Sequence, residues 1–178
     1  MFLDLLSSRR SIRKFKEMPI EKEKIDLLVE AALRAPSSRS LNPWEFIVVT
    51  DQKLLAGLAD CKPHGASFLK GAPLGIVVLA DPNRCDVWIE DSSIASIFIH
   101  LAAHSLGLGS CWIQVRKRMH AGNTSAAQYI ADLLEIPEGL EVESIVAVGY
   151  PAGPRPGHAP ESLAYSKVHQ GKYGHAFS

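Results

Sequence analysis

Residues 88 to 106 set the tightest limit on how this chain can fold. No proline or glycine interrupts them. Ile94, Ile97, Phe98, Leu101 and Ala102 share one helical stripe, and Ile99 widens the arc that must leave water. A helix that is apolar on more than one side belongs at a domain centre or at a subunit interface. Gly107 suits the position just past its end, where the backbone turns left-handed.

The remaining elements alternate around it. A short amphipathic helix is expected over residues 2–8. A clearer one carries Ile25, Leu28, Val29, Ala32 and Leu33 on one face and is ended by Pro36, because the residue before a proline avoids the helical region. Residues 46–50 are β-branched and aromatic, so they read as a strand. Asp51 then caps a short helix holding Leu54, Leu55 and Leu58. Residues 74–80 read as a buried strand. In 110–115, Cys111, Ile113 and Val115 alternate with polar Gln114 in another. Thr124 is the expected cap of a helix bearing Tyr129, Ile130, Leu133 and Leu134, and 142–150 is the last strand. Beyond it, Pro151, Gly153, Pro154, Pro156, Gly157 and Pro160 forbid further helix or sheet, so 151–178 is expected to be an extended C-terminal arm. A chain of 178 residues is long enough to bury a core, and the reading is one α+β domain over 1–178. No GxGxxG follows a first strand, which disfavours a Rossmann fold.

Several function classes drop out. Nineteen basic and nineteen acidic side chains leave no net field to draw in nucleic acid or an acidic membrane. Cys61, Cys85 and Cys111 form no CxxC pair, so they read as small buried hydrophobes in a reducing compartment, and a cytoplasmic location is expected. His100 and His104 stand four apart, but no carboxylate or cysteine is spaced with them as a metal ligand, so no metal is expected. One of the two is expected to be buried and the other interfacial. There is no HExxH and no GxSxG, so neither metalloprotease nor hydrolase chemistry has support.

One local cluster remains. Arg9, Arg10, Arg13, Lys14 and Lys16 crowd eight residues with no acid among them. Such a segment is either a solvated turn or an anion site, in which forked guanidinium donors and the Ser11 hydroxyl hold a phosphate. Composition alone leaves both open.

The wording of the chain goes further. Arg9-Arg10-Ser11-Ile12-Arg13-Lys14-Phe15 resembles the opening motif of the nitroreductase family of flavoproteins. Ala35-Pro36-Ser37-Ser38-Arg39-Ser40-Leu41-Asn42-Pro43-Trp44, the run from Leu101 to Ser110, and Val148-Gly149-Tyr150-Pro151 extend the match in order over nearly the whole chain. The resemblance implies a central mixed or antiparallel sheet flanked by helices, and a homodimer with FMN at its interface and the arm reaching onto the partner subunit. It implies that Arg9, Arg10 and Ser11 hold the FMN phosphate and ribityl chain, and that Arg13 faces the N1/C2=O edge, where a cation favours reduction. Pro36, Ser37, Ser38 and Ser40 are implied to touch the flavin of the partner subunit, and the Gln114 backbone N–H to face flavin N5. Where the family places an arginine or lysine on the arm, this chain has His158, with Arg155 close by. A histidine there predicts weaker FMN binding as pH rises from 6 to 8. Trp44 is expected in the core and Asp91 as a structural hydrogen-bond partner. The implied activity is ping-pong hydride transfer from NAD(P)H through flavin N5 to a nitroaromatic, quinone or similar planar acceptor, with no catalytic side chain. The rivals are a flavin carrier without turnover, or another reaction of the superfamily such as flavin fragmentation, dehalogenation or azoline oxidation.

Overall fold

The structure, a computed structural model, describes residues 1–177; Ser178, the last residue of the arm, lies outside them. Four strands form one sheet in the order β1 (Trp44–Val49), β2 (Leu74–Ala80), β6 (Glu141–Gly149) and β3 (Gly109–Gln114). Every pairing among these four strands is antiparallel, which narrows the expected mixed or antiparallel sheet to the second kind, with one isolated parallel bridge from Ser11 to Ser110 at its edge. β2 and β6 take the middle and are buried on both faces, which is why both read as continuous apolar runs.

The period of two sorts the two faces. Val77, Leu79, Ile145 and Ala147 meet α3 (Gln52–Ala59) and α5 (Ala126–Leu134), where Leu55, Leu58 and Ile130 complete one core. Leu74, Ile76, Val78, Val146 and Val148 point the other way, onto Leu28 and Ala32 of α2 (Lys22–Leu33) and Ile99 and Ala103 of α4 (Trp88–Ser105). The expected α+β architecture is therefore present as helix, sheet and helix layers. Asp51 caps α3 as expected, its carboxylate accepting from the backbone N–H of Lys53 and Leu54.

Three details depart from expectation. Thr124 does not cap α5: it pairs with Ala121 in the small hairpin of β4 (Met119–Ala121) and β5 (Thr124–Ser125), and the Ser125 hydroxyl takes the cap by accepting from Gln128 N–H at 3.0 Å. The first strand opens two residues early because Trp44 pairs with Ala80 across the sheet edge. Most consequential is α4, whose buried face is Asp91, Ser92, Ala95, Ser96, Ile99, His100 and Ala103. These are mostly small residues, which lets the helix lie close to the sheet. Part of the larger apolar stripe turns away from it, with Ile94 38% and Ile97 50% exposed, while Phe98 and Ala102 pack against buried neighbours. Among the described residues no helix is long and apolar enough to cross a membrane.

Candidate functional site

α1 (Phe2–Ser8) stops at Arg9, whose backbone turns extended (φ −61°, ψ 135°). The arginine segment then threads between the start of β3 and the chain leaving β6. Ile12 N–H donates to the Ser110 carbonyl at 2.9 Å, Lys16 N–H to that of Tyr150 at 2.8 Å, and Ala152 N–H back to that of Lys14 at 3.0 Å. Two glycines make the close approach possible. A Cβ on Gly109 would lie 2.7 Å from Ile12, and one on Gly149 would lie 2.8 Å from the Phe15 ring. Gly109 therefore serves the packing of the segment rather than the turn after α4, while Gly107 makes that turn with φ +74°.

The arm returns over the same ground. Arg10 Nη1 donates to the Pro156 carbonyl at 3.0 Å and Arg155 Nη1 to the Ser11 carbonyl at 3.2 Å. Gly157 lies so close to the Ser7 carbonyl that no side chain fits between them. The arm's cation that meets the segment is thus Arg155, and His158 stands exposed just beyond. A cleft of about 340 Å³ opens here between Ile12, Arg13, Lys14, Gly153, Pro154 and Arg155.

Charge converges on the floor of this region. Burial pushes the Cys111 thiol pKa up, and the charges of Arg13, Arg155 and Arg9, with the Ser11 hydroxyl, pull it back. Arg13 also lies over the Phe68 ring, 5.8 Å from its centre. Behind the segment His100 Nδ1 and Ser110 Oγ are 2.7 Å apart, and the ring's pKa is lowered to about 4 by burial first and the charge of Arg9 second. His104 is half-buried, its Nε2 2.8 Å from Ser8 Oγ. Among the described residues none of Arg9, Arg10, Arg13 and Arg155 has a carboxylate partner, although six ion pairs form elsewhere.

The loop after Pro36 is built differently. Arg39, Ser40 and Asn42 all adopt positive φ (52°, 53° and 45°), and a local network holds them there. The Ser37 hydroxyl donates to Asn42 Oδ1 at 2.6 Å and accepts from Asn42 N–H at 2.9 Å. Ser38 N–H donates to Asp91 Oδ1 at 2.9 Å, so Asp91 is the structural partner that was expected. Trp44 is buried beneath this loop against Phe46, again as expected. Ser37, Ser38 and Ser40 do not meet the arginine segment within one chain. The loop is tied to the start of α4 at Asp91, and Ser8, just ahead of the segment, to its end at His104; thirteen helical steps separate those anchors by about 20 Å.

Gln114 closes β3. Its side chain accepts from Trp112 Nε1 and donates to the Arg116 carbonyl, both at 3.0 Å. Its own carbonyl accepts from Lys62 Nζ at 2.7 Å. Lys62 carries no motif and lies 52 residues away in the chain, so nothing in the sequence pairs the two.

The model of the nitroreductase family matches residues 6–62 and 60–150. A solved FMN-dependent nitroreductase from Clostridium difficile R20291 is 49% identical, with a TM-score of 0.94 over 96% of this chain and 99% of that one. A relative from Methanothermobacter thermautotrophicus, named provisionally as an NADH dehydrogenase/NAD(P)H nitroreductase, is 38% identical over 84% of this chain and 77% of its own length. The NADPH:FMN oxidoreductase of Vibrio harveyi, solved with NAD+, shares 26% identity and a TM-score of 0.80 over 97% of this chain and 74% of that one. A match from residue 6 to residue 150 takes in the arginine segment, the serine loop, α4 and β3 together, and the chain belongs to the nitroreductase family.

Proposed function

We propose that the chain is an FMN-dependent oxidoreductase that draws on NAD(P)H and reduces nitroaromatics, quinones or similar planar electron-poor acceptors. The observation that carries this reading is the set of arginines without acidic partners at the start of β3. Uncompensated guanidinium groups beside a cleft suit a phosphate dianion, which would supply the missing negative charge. Bound FMN would supply the chemistry, a hydride taken from the nicotinamide in one half-reaction and passed to the acceptor in the next.

The chain's own residues would bind and orient. Arg9, Arg10 and Ser11 grip the phosphate and ribityl chain, and Arg155 or His158 adds to them from the arm. Arg13, over the Phe68 ring and with its charge felt at Cys111, presents that charge to the ring edge. The Gln114 backbone N–H offers a donor to the reacting nitrogen. Two copies are needed to complete a site, because the loop of Pro36, Ser37, Ser38 and Ser40 is anchored at Asp91, about 20 Å along α4 from the His104 anchor beside the arginine segment. The outward stripe of Ile94 and Ile97, with exposed Phe2 and Leu3 on the neighbouring α1, is the surface through which a second copy would bring its loop. Such a dimer places the arm against the partner subunit, and residues 1–178 act as one domain within it.

The test is direct. The purified protein should be yellow, should bleach under NADH or NADPH without oxygen, and should recover colour on adding a quinone. Arg9→Ala should lose FMN affinity by about tenfold or more. FMN held tightly with no bleaching by either nucleotide would instead describe a carrier.

A further inference from the structure

The end of β3 carries a second group of cations that the flavin site does not use. Val115 and Arg116 both donate their N–H to the Glu143 carbonyl, at 3.2 and 3.0 Å, and Arg118 N–H closes the turn onto the Val115 carbonyl at 3.0 Å. Lys117, at the turn's tip, is held at φ +59°, a conformation that costs a side-chain-bearing residue energy. Lys117 and Arg118 project exposed, and Arg116 leans over the Trp88 ring, 5.8 Å from its centre. Lys62 stands behind them, its ammonium on the Gln114 carbonyl.

Two of these four cations act directly on each other. Burial lowers the Lys62 pKa, and the charge of Arg118 lowers it further. Among the described residues none of the four forms an ion pair. Glu143 is buried close enough to Arg116 to feel its charge: burial raises the Glu143 pKa, and hydrogen bonds from Ser144 and Ser93 and then the Arg116 charge pull it back. In the groove lined by Lys16, Lys22 and Lys70, by contrast, two of the three lysines are paired, with Asp26 and Asp60. Positive charge concentrated on a constrained turn, with no ion pair and only buried Glu143 to offset it, suits an anion.

Its position says which anion. Under the reading above, Gln114 lies where the hydride is received, and the turn begins at the next residue. A nicotinamide stacked there trails its phosphates outward within a few residues' length of the chain, about 10 Å. We propose that the turn at residues 115–118, with Lys62 behind it, docks the phosphates of the nicotinamide nucleotide donor. This rests on the oxidoreductase reading and adds to it the surface that selects the donor.

The test uses FMN-saturated protein, so that the flavin phosphate site is filled, and compares Arg118→Gln and Lys117→Gln/Arg118→Gln with the parent. Lys53→Gln on α3 controls for the loss of a charge elsewhere. Anaerobic bleaching at a series of NADPH and NADH concentrations yields the saturation constant and the limiting rate. The expected result is a saturation constant raised by about tenfold for the double variant, shrinking as salt is added, with the limiting rate within twofold. A rise confined to NADPH assigns the turn to the 2′-phosphate; an equal rise for both assigns it to the diphosphate. In parallel, inorganic pyrophosphate is titrated calorimetrically into parent and variants, and the double variant should bind it about tenfold more weakly. Saturation constants and pyrophosphate affinities unchanged from the parent overturn the proposal. Should neither nucleotide bleach the holoprotein, the oxidoreductase reading fails, and the pyrophosphate titration alone decides whether the turn is an anion site.

Discussion

Lowering the pH from 7 to 4 should destabilise the protein through one buried ring, that of His100 in α4. In the unfolded chain the imidazole takes up its proton near the ordinary value of 6.5; in the folded protein it does so only near 4, because burial and then the charge of Arg9 oppose it. Between those values the unfolded chain binds more protons than the folded one. Stability therefore falls as pH falls through this window, and the loss is complete at about pH 4. The gap between 6.5 and about 4 corresponds to about 3 kcal/mol, a substantial share of the ~5–15 kcal/mol that holds a domain together. His100→Gln should abolish this slope, since glutamine offers Ser110 a hydrogen bond without titrating. Urea unfolding of both proteins at pH 7, 6, 5 and 4 measures the difference, and comparing the two profiles cancels every other titrating group. The His100 protein should lose about 3 kcal/mol more than the glutamine variant by pH 4. Parallel profiles would refute both the burial of the ring and its exposure to Arg9.

Two further substitutions probe the packing behind the site. Gly109→Val should drive its side chain into Ile12 and cost about 1–3 kcal/mol, with FMN retention falling while the far-ultraviolet spectrum stays folded; Gly71→Ala, which meets nothing within 4 Å, should leave retention unchanged. Glu143 runs opposite to His100: burial raises its pKa, so its contribution to stability is present below 4.5 and is lost as pH rises through the folded value. Glu143→Gln should accordingly raise the urea midpoint at pH 7, and the gain should vanish toward pH 4.

The sheet, its helices and the arginine segment were legible because each leaves a local mark. Alternation marked β3, a continuous apolar run marked β2, and a dense cluster of like charge marked residues 9–16. The direction of α4 was not legible. Its large residues formed the obvious stripe, yet apart from Ile99 and His100 the sheet took small ones, since burial depends on how closely backbones approach and not on side-chain size alone. Glu143 was hidden for a similar reason. The ladder with β2 slips between Val78 and Leu79, which pair with Ser144 and Val142, so Glu143 is left over as a bulge and faces Ser93 of α4. A period of two counts residues and cannot see one inserted. Arg155 and Lys62 mark the other limit. Their partners Ser11 and Gln114 lie 144 and 52 residues away, and only the folded chain brings them together.

The separation of the serine loop from the arginines makes a prediction that neither half can make alone. If each FMN site takes its arginines from one copy and its loop from the other, two damaged chains should repair one another. Arg9→Ala removes the phosphate grip. Ser38→Pro removes the N–H that Asp91 accepts, while proline remains tolerated at the first position of a helical turn. Each variant alone forms dimers in which both sites are broken. A heterodimer has one site carrying both lesions and one carrying neither. Random assortment of equal amounts makes about half of all dimers heterodimers, so the mixture should recover about one FMN per two dimers. Co-expression from two tagged chains, followed by flavin absorbance of the doubly tagged fraction, isolates the heterodimer, where the expected content is about one FMN per dimer. If that fraction stays colourless while each parent folds and dimerises normally, both halves of the site come from one chain, and the 20 Å along α4 must be bridged some other way. A yellow heterodimer would give the outward apolar face of α4 a reason, as a surface through which one copy's loop could reach the other's arginines.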